Sequence, residues 1–533
     1  MSFRGSLHPY QGEAVDRFLK RKSLLLAYGC GTGKTVMAIA AAEKLLNSGE
    51  VRQVLILCPA SLKYQWRDKI FQFTSPDRSV LVIDGTKDQR LAQFCEPAEL
   101  PGPPEYIVHS YDSVIHDYDL MLTLSCEMVI LDEATAIKSF KAQRSKRIKK
   151  MYKDVPYRLA LTATPIENRP EELFSIMQWV DGTVLGRYDL FDKAYIRRHP
   201  KGWITGYKNL DVLRGRLGRA ISRKTRFDSD VRPYLPDVDE GFWTVPMDPA
   251  IFKAYKVIAK DMLTQLNESP FTAAKVDLRG KITSPDESSP DGKLMAMYMC
   301  AEMLLDHPEL IHWSAREYEK DSPYGSAYAH YLSGSGLIPV NYTVPKELVL
   351  LDKVKEILSE PGSKTIIVSQ YKYMLNLLSM FLPFDTVIFN GDLNAKQKDA
   401  VIKEFTNNPE CRILLTSYAG GYGLDLYMAD YLINYDLPWS AGKQDQINSR
   451  HIRASSEFDK VYVRNLITED SVESRKLRIL ERKNKIAGHV LDGKEGETNV
   501  QTDDDFLRKH LEDVLTRRPG RGKIVTKERT RDG

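Results

Sequence analysis

Short runs of apolar residues alternate with longer amphipathic segments over the first 180 residues of the chain. Five of these runs are continuous, at residues 24–27, 54–58, 106–108, 128–131 and 159–161, the last directly after Arg158. Continuous apolar runs are typical of strands that are buried on both faces of a sheet. Because helix-length segments separate them, the pattern predicts alternating strands and helices in a parallel sheet, with ligands at the strand C-termini.

The alternation stops near residue 181 and resumes near residue 346. Helical patterns occupy the interval at 212–221, 251–266 and 294–305, and a second set of strands is predicted at 365–368, 387–389, 413–416, 431–434 and 461–463. The fold class is therefore predicted as α/β, with two tandem parallel-sheet lobes and a helical insertion between them. The predicted units are a first lobe at 1–180, the insertion at 181–344, a second lobe at 345–470, a charged amphipathic helix at 471–493 and a polar, basic tail at 494–533.

Composition narrows the class of protein only modestly. The 533 residues are 42% hydrophobic and carry a net charge of +4, and no apolar run has the length of a membrane span. The N-terminus lacks the apolar core of a signal peptide. Six scattered cysteines without a Cys-x-x-Cys pair suit a reducing compartment and argue against disulfides and zinc sites. We therefore expect a cytoplasmic protein without a membrane partner.

The clearest chemistry lies in the loop between the first predicted strand and a helix predicted over 36–46. Residues 28–35 are Tyr-Gly-Cys-Gly-Thr-Gly-Lys-Thr. Glycines allow the backbone to approach a polyphosphate, and the helix N-terminus adds N–H dipoles, so this layout predicts a phosphate-binding loop. Lys34 would reach the β- and γ-phosphates of ATP, and Thr35 would bind Mg²⁺. The backbone cradle would be formed by Gly29, Gly31, Thr32 and Gly33.

Two adjacent carboxylates, Asp132 and Glu133, follow the predicted strand at 128–131. An Asp-Glu pair has little meaning alone, but these residues end a buried strand downstream of the Gly-Lys-Thr loop. Asp132 is predicted to hold Mg²⁺, and Glu133 to orient and activate the attacking water.

Two further polar side chains are candidates because of their positions. Gln11 lies upstream of the glycine-rich loop, and its amide offers a donor and an acceptor to the adenine edge. Ser61 follows the second predicted strand, where a hydroxyl could bind a phosphate. Ordinary loop polarity is the alternative interpretation of Ser61.

Taken together, these segments resemble helicase superfamily two, and within it the Swi/Snf branch of double-stranded-DNA translocases. The resemblance extends from residue 7 to about residue 490. In the first half it is carried by Leu7-His8-Pro9-Tyr10-Gln11, the loop at 27–35, Cys58-Pro59-Ala60-Ser61-Leu62 with Trp66, Asp132-Glu133-Ala134 and Leu161-Thr162-Ala163-Thr164-Pro165-Ile166-Glu167-Asn168.

In the second half the resemblance is carried by Ser417 to Leu426 and by Gln446 to Arg453. Arg450 and Arg453 are three residues apart, which places them on one face of a helix. The resemblance implies that they reach across a cleft to the γ-phosphate, where arginine fingers act. It implies nucleic-acid contacts or coupling for Ser417, Gly420, Gly421 and Gln446.

The family also implies two RecA-like lobes, largely sequence-independent binding of duplex DNA, and a C-terminal helix that packs back on the first lobe. Thr162 and Thr164 would hydrogen-bond to Glu133 and transmit the nucleotide state. The sequence departs from the family pattern at Tyr28, at Thr135, at Lys398 and at the residues after Arg453.

Two other functions stay open at this point. One is a helicase that separates DNA or RNA strands, and the other is an ATP-binding switch that recruits partners without acting as a motor. The basic tail around 517–523 is equally consistent with added DNA affinity and with a solubilising terminus. The absence of recognisable chromatin-binding segments favours a bacterial or phage origin.

Overall fold

The computed structural model describes residues 3–95, 102–200, 202, 204–268, 286–418, 426–453, 456, 458–494, 503–516 and 528–530. The first 185 residues contain α1 (Pro9–Arg21), β1 (Ser23–Tyr28), α2 (Lys34–Ser48), β2 (Val54–Cys58), α3 (Lys63–Phe73), β3 (Val80–Val82), α4 (Lys87–Cys95), β4 (Tyr106–Ser110), α5 (Tyr118–Met121), β5 (Met128–Leu131), α6 (Gln143–Tyr152), β6 (Tyr157–Leu161) and α7 (Glu171–Leu185).

The middle of the chain contains α8 (Tyr188–Tyr195), β7 (Ile196–Arg198), β8 (Ile204–Tyr207), α9 (Leu210–Leu217), β9 (Ile221–Lys224), β10 (Asp237–Val245), α10 (Pro249–Glu268), α11 (Pro290–Asp306), α12 (Glu309–Glu319) and α13 (Ala327–Gly334). The remainder contains α14 (Pro345–Ser359), β11 (Thr365–Ser369), α15 (Lys372–Phe381), β12 (Thr386–Phe389), α16 (Ala395–Asn407), β13 (Ile413–Ser417), β14 (Tyr431–Asn434), α17 (Ala441–Asn448), β15 (Lys460–Thr468), α18 (Val472–Asp492), α19 (Asp503–Thr516) and β16 (Glu528–Thr530).

The first lobe is built on a seven-stranded parallel sheet with the order β3-β4-β2-β5-β6-β1-β9. Alternate residues of its strands enter two separate hydrophobic clusters: Leu25 and Leu55 join one, and Leu24 and Ile56 join the other. Both faces of the sheet are thus covered, which is why its strands are continuous apolar runs in the sequence.

The second lobe is built on a sheet with the order β12-β13-β11-β14-β15-β10-β16. Its pairings are parallel apart from β16, which lies antiparallel to β10. The prediction of an α/β protein with two parallel-sheet lobes is therefore confirmed.

The segment 181–344 is not purely helical, because it supplies one strand to each sheet. β9 pairs with β1 of the first lobe, and β10 pairs with β15 of the second along nine residues. The helix predicted over 212–221 is wrong at its end, since α9 stops at Leu217 and Ile221 starts β9. β9 is a short strand of mixed polarity, and such a strand is stabilised by pairing with its neighbour. The local sequence does not show this pairing. The predicted domain boundaries stay predictions.

Helix α18 runs between the two lobes. Val472 at its start is part of the core of the second lobe, whereas Ile486 and Val490 near its end are part of a core cluster of the first. Arg223, in β9, also pairs with Asp492 at 2.9 Å. The helix thereby contacts the cores of both lobes. Among the described helices, none has both the length and the apolarity that crossing a membrane requires.

Candidate functional site

The glycine-rich loop joins β1 to α2, so the N-terminus of α2 opens directly behind it. Lys34 donates hydrogen bonds to the carbonyl oxygens of Tyr28 (2.8 Å) and Gly29 (3.0 Å), and the Thr32 hydroxyl donates to Gly29 O at 2.7 Å. Hydrogen bonds from its own side chains to its own carbonyl oxygens thus stabilise the conformation of the loop. The Thr35 side chain, in the first turn of α2, is half-buried.

Two glycines of this loop have left-handed backbone conformations and close neighbours. At Gly33 (φ +84°) a Cβ atom would lie 2.4 Å from Gln11 Nε2, and at Gly31 (φ +78°) it would lie 2.5 Å from Ile452 O. Both sites need glycine because a Cβ would be strained and would also collide. The second contact shows that the loop of the first lobe lies against the second lobe.

Gln11 is buried and binds the glycine-rich loop. Its Nε2 donates to Thr32 O at 3.0 Å, and its Oε1 accepts from His8 N at 2.9 Å. The Tyr10 hydroxyl donates to the same Thr32 oxygen at 3.0 Å. Helix α1 is therefore anchored to the loop through this side chain, and the predicted contact of Gln11 with adenine stays a prediction.

Asp132 and Glu133 lie directly after β5, at the edge of the sheet where the glycine-rich loop also emerges. Asp132 Oδ2 accepts a hydrogen bond from Trp66 Nε1 at 2.8 Å, and its carbonyl accepts one from Tyr111 at 2.8 Å. Glu133 has a left-handed φ of +49°. Non-glycine residues in this region are strained, and such strain clusters at functional sites.

The electrostatics of this pair favour a cation beside it. Burial raises the pKa of Asp132, and burial together with the Asp132 charge raises the pKa of Glu133 to about 7. The charges of Lys34 and Arg450 act in the opposite direction on both carboxylates. Mg²⁺ takes one or two carboxylates, waters and substrate phosphates, so Asp132 and the Thr35 hydroxyl are a chemically suitable ligand pair.

The two predicted arginines follow α17, which ends at Asn448, so the expectation that they share one face of a helix is wrong. Arg450 follows α17 of the second lobe, and its charge also acts on Cys30 of the glycine-rich loop. Arg453 Nη1 donates to Ser449 O at 2.8 Å and to Ile452 O at 3.3 Å, both within the second lobe. Its predicted reach to the γ-phosphate stays a prediction.

Gln446 joins the second lobe to Glu133 of the first by a hydrogen bond. From α17 its Nε2 donates to Glu133 Oε2 at 3.1 Å. The side chain is buried, and its Oε1 has no hydrogen-bond partner among the described residues. Sequence reasoning placed Gln446 in coupling or nucleic-acid contact. It did not predict that Gln446 touches Glu133, because no local pattern pairs these two positions.

The two threonines after β6 differ from the expectation that they bond to Glu133. Thr162 Oγ1 accepts from Thr164 N at 3.2 Å, and Thr164 Oγ1 has no hydrogen-bond partner among the described residues. A Cβ at Gly442, in α17, would lie 3.0 Å from Thr164 Oγ1. Thr164 therefore packs against the second lobe.

The remaining predicted positions are spread over the strand ends. Ser61 is exposed on the turn after β2, and Ser417 is buried at the end of β13. Gly420 and Gly421 lie outside the described residues. Sequence reasoning missed Lys483 of α18, which donates to Asn168 Oδ1 of the first lobe (2.9 Å) and to Trp439 O of the second (3.2 Å). A lysine on a charged helix gives no sequence signal for such a role.

Comparison with known proteins identifies two family regions. The SNF2-related domain matches residues 10–285, and the helicase conserved C-terminal domain matches residues 349–455. The putative ATP-dependent helicase/translocase YwqA of Bacillus subtilis is 25% identical over 527 residues, which cover 97% of this chain and 51% of that protein. The uncharacterized ATP-dependent helicase YqhH of the same organism is 25% identical over 521 residues, 95% of this chain and 83% of that protein.

The chain thus spans about half the length of YwqA. Among solved structures, the Hef helicase domain of Pyrococcus furiosus superposes with a TM-score of 0.52 at 17% identity, covering 90% of this chain and 99% of that one. This likeness concerns the fold alone. The SNF2-related region covers more than half of the chain and confirms the resemblance found in the sequence. The chain belongs to the SNF2-related domain family.

Proposed function

We propose that this chain is an ATP- and Mg²⁺-dependent motor that hydrolyses ATP to ADP and phosphate and moves along duplex DNA. The observation that carries the proposal is the hydrogen bond from Gln446 to Glu133. It places a side chain of the second lobe on the carboxylate of the first that would activate water, which would make hydrolysis depend on the position of the lobes. The names of the B. subtilis relatives, helicase and helicase/translocase, support the same class of activity.

ATP would bind with its phosphates in the glycine-rich loop and its γ-phosphate facing the second lobe. Lys34 would leave the carbonyls that it now contacts and bind the β- and γ-phosphates. Thr35 and Asp132 would hold Mg²⁺, which neutralises phosphate charge when bound. Glu133 would orient the attacking water, and Arg450 with Arg453 would stabilise charge in the transition state.

Nucleic acid would lie across both lobes and be held through its phosphates, without strong sequence preference. Ser61 at the end of β2, Ser417 at the end of β13, and Gly420 with Gly421 are the proposed contacts. Because Thr164 packs against α17, opening of the cleft would move this strand end relative to the second lobe. We propose a cytoplasmic location in a bacterial cell or in the host of a phage.

The test is the steady-state ATPase rate with no nucleic acid, single-stranded DNA, blunt duplex DNA and duplex RNA. We expect strong stimulation by duplex DNA, and loss of hydrolysis in Lys34→Ala with an unchanged thermal unfolding profile. Lys44→Ala is the matched control, because Lys44 lies on the same helix, is half-exposed and, among the described residues, pairs with the exposed Asp16 alone.

Stimulation by single strands or RNA alone would contradict the duplex translocase and favour a strand-separating helicase. Negligible turnover under every condition would favour a nucleotide-binding switch. If duplex DNA stimulates hydrolysis, displacement of a triplex-forming strand measures movement along the duplex directly.

A further inference from the structure

Strand β9 lies at the edge of the first sheet and brings Arg223 to the ends of two neighbouring strands. Arg223 is the partner of Ala27 in the parallel pairing of β9 with β1. Its Nη1 donates to Ala27 O at 2.9 Å and to Ala163 O, just beyond the end of β6, at 3.1 Å. Because β6, β1 and β9 are adjacent in the sheet, one guanidinium group joins the ends of all three strands.

Both carbonyl groups belong to segments of the candidate site. Ala27 directly precedes the glycine-rich loop at 28–35. Ala163 directly precedes Thr164, which packs against α17 of the second lobe. The backbone ladder of a sheet ends with its strands, so carbonyl groups beyond that point need other donors. Arg223 supplies these donors and thereby fixes the start of the glycine-rich loop relative to the segment that faces the second lobe.

The other side of the same guanidinium binds the C-terminal end of α18. Arg223 Nε donates to Asp492 Oδ1 at 2.9 Å, and Nη2 donates to Asp492 Oδ2 at 3.4 Å. The two side chains are 22% and 20% exposed. Asp492 is the last residue of α18, where the helix dipole disfavours a negative charge. Arg223 of the first lobe compensates this charge, so the partner of Asp492 comes from the tertiary structure.

This geometry requires an arginine. The guanidinium is planar and holds five N–H donors in a fixed fork, whereas a lysine ammonium is a point charge with three donors. Here the fork makes four hydrogen bonds, to two carbonyl oxygens and one carboxylate. Helix α18 begins in the core of the second lobe and ends against the core of the first. Arg223 therefore connects the end of a helix that starts in the second lobe to two strand ends at the site.

We propose that Arg223 is a positioning residue through which α18 acts on ATP hydrolysis, a proposal that rests on the ATP-driven activity proposed above. When the second lobe moves, α18 moves with it, and the contact of Asp492 with Arg223 transmits this movement to the carbonyls of Ala27 and Ala163. The glycine-rich loop and the segment at Thr164 respond together because they share one guanidinium. Loss of the contact with Asp492 leaves the strand ends joined to each other but separated from α18.

The experiment measures kcat and KM for ATP in duplex-stimulated hydrolysis. The variants are Asp492→Asn, Arg223→Lys, Arg223→Ala and the double variant Arg223→Ala/Asp492→Asn. Asp181→Asn is the matched control, because Asp181 also pairs with an arginine of the first lobe, Arg21 at 2.7 Å, and is 25% exposed. Urea unfolding measures the stability of every variant.

We expect Asp492→Asn to lower kcat by about 2- to 30-fold. KM for ATP should stay within about twofold of wild type, because the groups that would bind the nucleotide remain in place. Arg223→Lys and Arg223→Ala should lower kcat at least as much, since they also lose carbonyl contacts. In the double variant, Asp492→Asn should add less than about twofold to the effect of Arg223→Ala, because its partner is already absent. Asp181→Asn should leave kcat within about twofold of wild type.

A second measurement does not depend on turnover. Amide hydrogen exchange at the end of α18, residues 484–492, is compared without nucleotide and with Mg²⁺ and the non-hydrolysable analogue AMP-PNP. Because coupling between two sites is reciprocal, the analogue should slow exchange at this end in wild type. The same addition should have no effect there in Arg223→Ala.

Unchanged kcat in Asp492→Asn would overturn the proposal. Equal losses in Asp492→Asn and Asp181→Asn would also overturn it, as would losses that multiply fully in the double variant, because the pair would then contribute stability alone. Failure of the proposed function is a different result, since wild type itself would then hydrolyse no ATP. Hydrogen exchange decides the inference in that case: an effect of AMP-PNP that is absent from wild type, or that persists in Arg223→Ala, contradicts it.

Discussion

The hydrogen bond between Gln446 and Glu133 leads to a quantitative prediction for the substitution Gln446→Ala. The bond is 3.1 Å long, spans the two lobes and is donated to a half-buried carboxylate whose pKa is raised to about 7. A donor stabilises the ionised form of its acceptor, so its removal raises the pKa of Glu133 further. Only the ionised carboxylate can act as a base.

The size of the shift follows from the strength of such bonds. A hydrogen bond to an ionised group contributes roughly 1.5–3 kcal/mol, which corresponds to a pKa increase of roughly one to two units. At pH 7 about half of the wild-type carboxylate is ionised, against roughly 1–10% in the variant. We therefore expect kcat/KM for ATP to fall roughly 5- to 50-fold at pH 7 and to recover to within about twofold of wild type near pH 9.

The assay is the pH dependence of kcat/KM in duplex-stimulated ATP hydrolysis, which reports the ionisations of the free enzyme. Gln444→Ala is the matched control, because Gln444 lies on the same helix and donates to Asn465 within its own lobe at 3.0 Å. Its acid limb should coincide with that of wild type. The argument would be refuted if the rise of kcat/KM with pH in Gln446→Ala had the same midpoint as in wild type, or if kcat/KM fell by the same factor at every pH.

Two substitutions elsewhere test packing between and within the lobes. Gly31→Ala should reduce kcat/KM for ATP at least about tenfold, because the new Cβ would collide with Ile452 O. Gly49→Ala is the control: Gly49 has a φ of +76° and open space around it, so this variant has the backbone strain without a collision. Equal losses of kcat/KM in the two variants would contradict the collision. Lys346→Met leaves two buried carboxylates, Asp306 and Glu473, without their lysine partner. It should therefore lower the free energy of unfolding in urea by about 3–5 kcal/mol. Lys372→Met breaks an ion pair at the surface and should lower it by about 1 kcal/mol or less.

The Lys346→Met deficit should also depend on pH. Burial raises the pKa of Asp306 well above its usual range even beside Lys346. A carboxyl whose pKa is higher in the folded than in the unfolded protein takes up a proton on folding. Its contribution to the free energy of unfolding is therefore largest at low pH and is lost as pH rises through the folded pKa. The deficit should therefore be smaller at pH 6 than at pH 8, and a deficit that grows on acidification would contradict this account.

The features that the sequence determined are those with local causes. Strands buried on both faces require continuous apolar runs, and β5 and β14 have the predicted bounds, whereas β15 extends five residues beyond its predicted end. The glycine-rich loop needs Gly31 and Gly33 for their left-handed backbone, and Lys34 must follow at the helix start. Each of these requirements involves only about ten consecutive residues, so these strands and this loop can be predicted from one sequence.

Tertiary structure alone decided the contacts between distant segments. Gln446 and Glu133 are separated by 313 residues, and Tyr234, in the connection between β9 and β10, lies against His8 near the N-terminus. β9 likewise became a strand through its pairing with β1, against the helical pattern before it. Such contacts depend on how two sheets and a connecting helix pack, and packing energy depends on shape and distance in space. The spacing of residues along the chain gives neither the shape of the packed elements nor the distances between them.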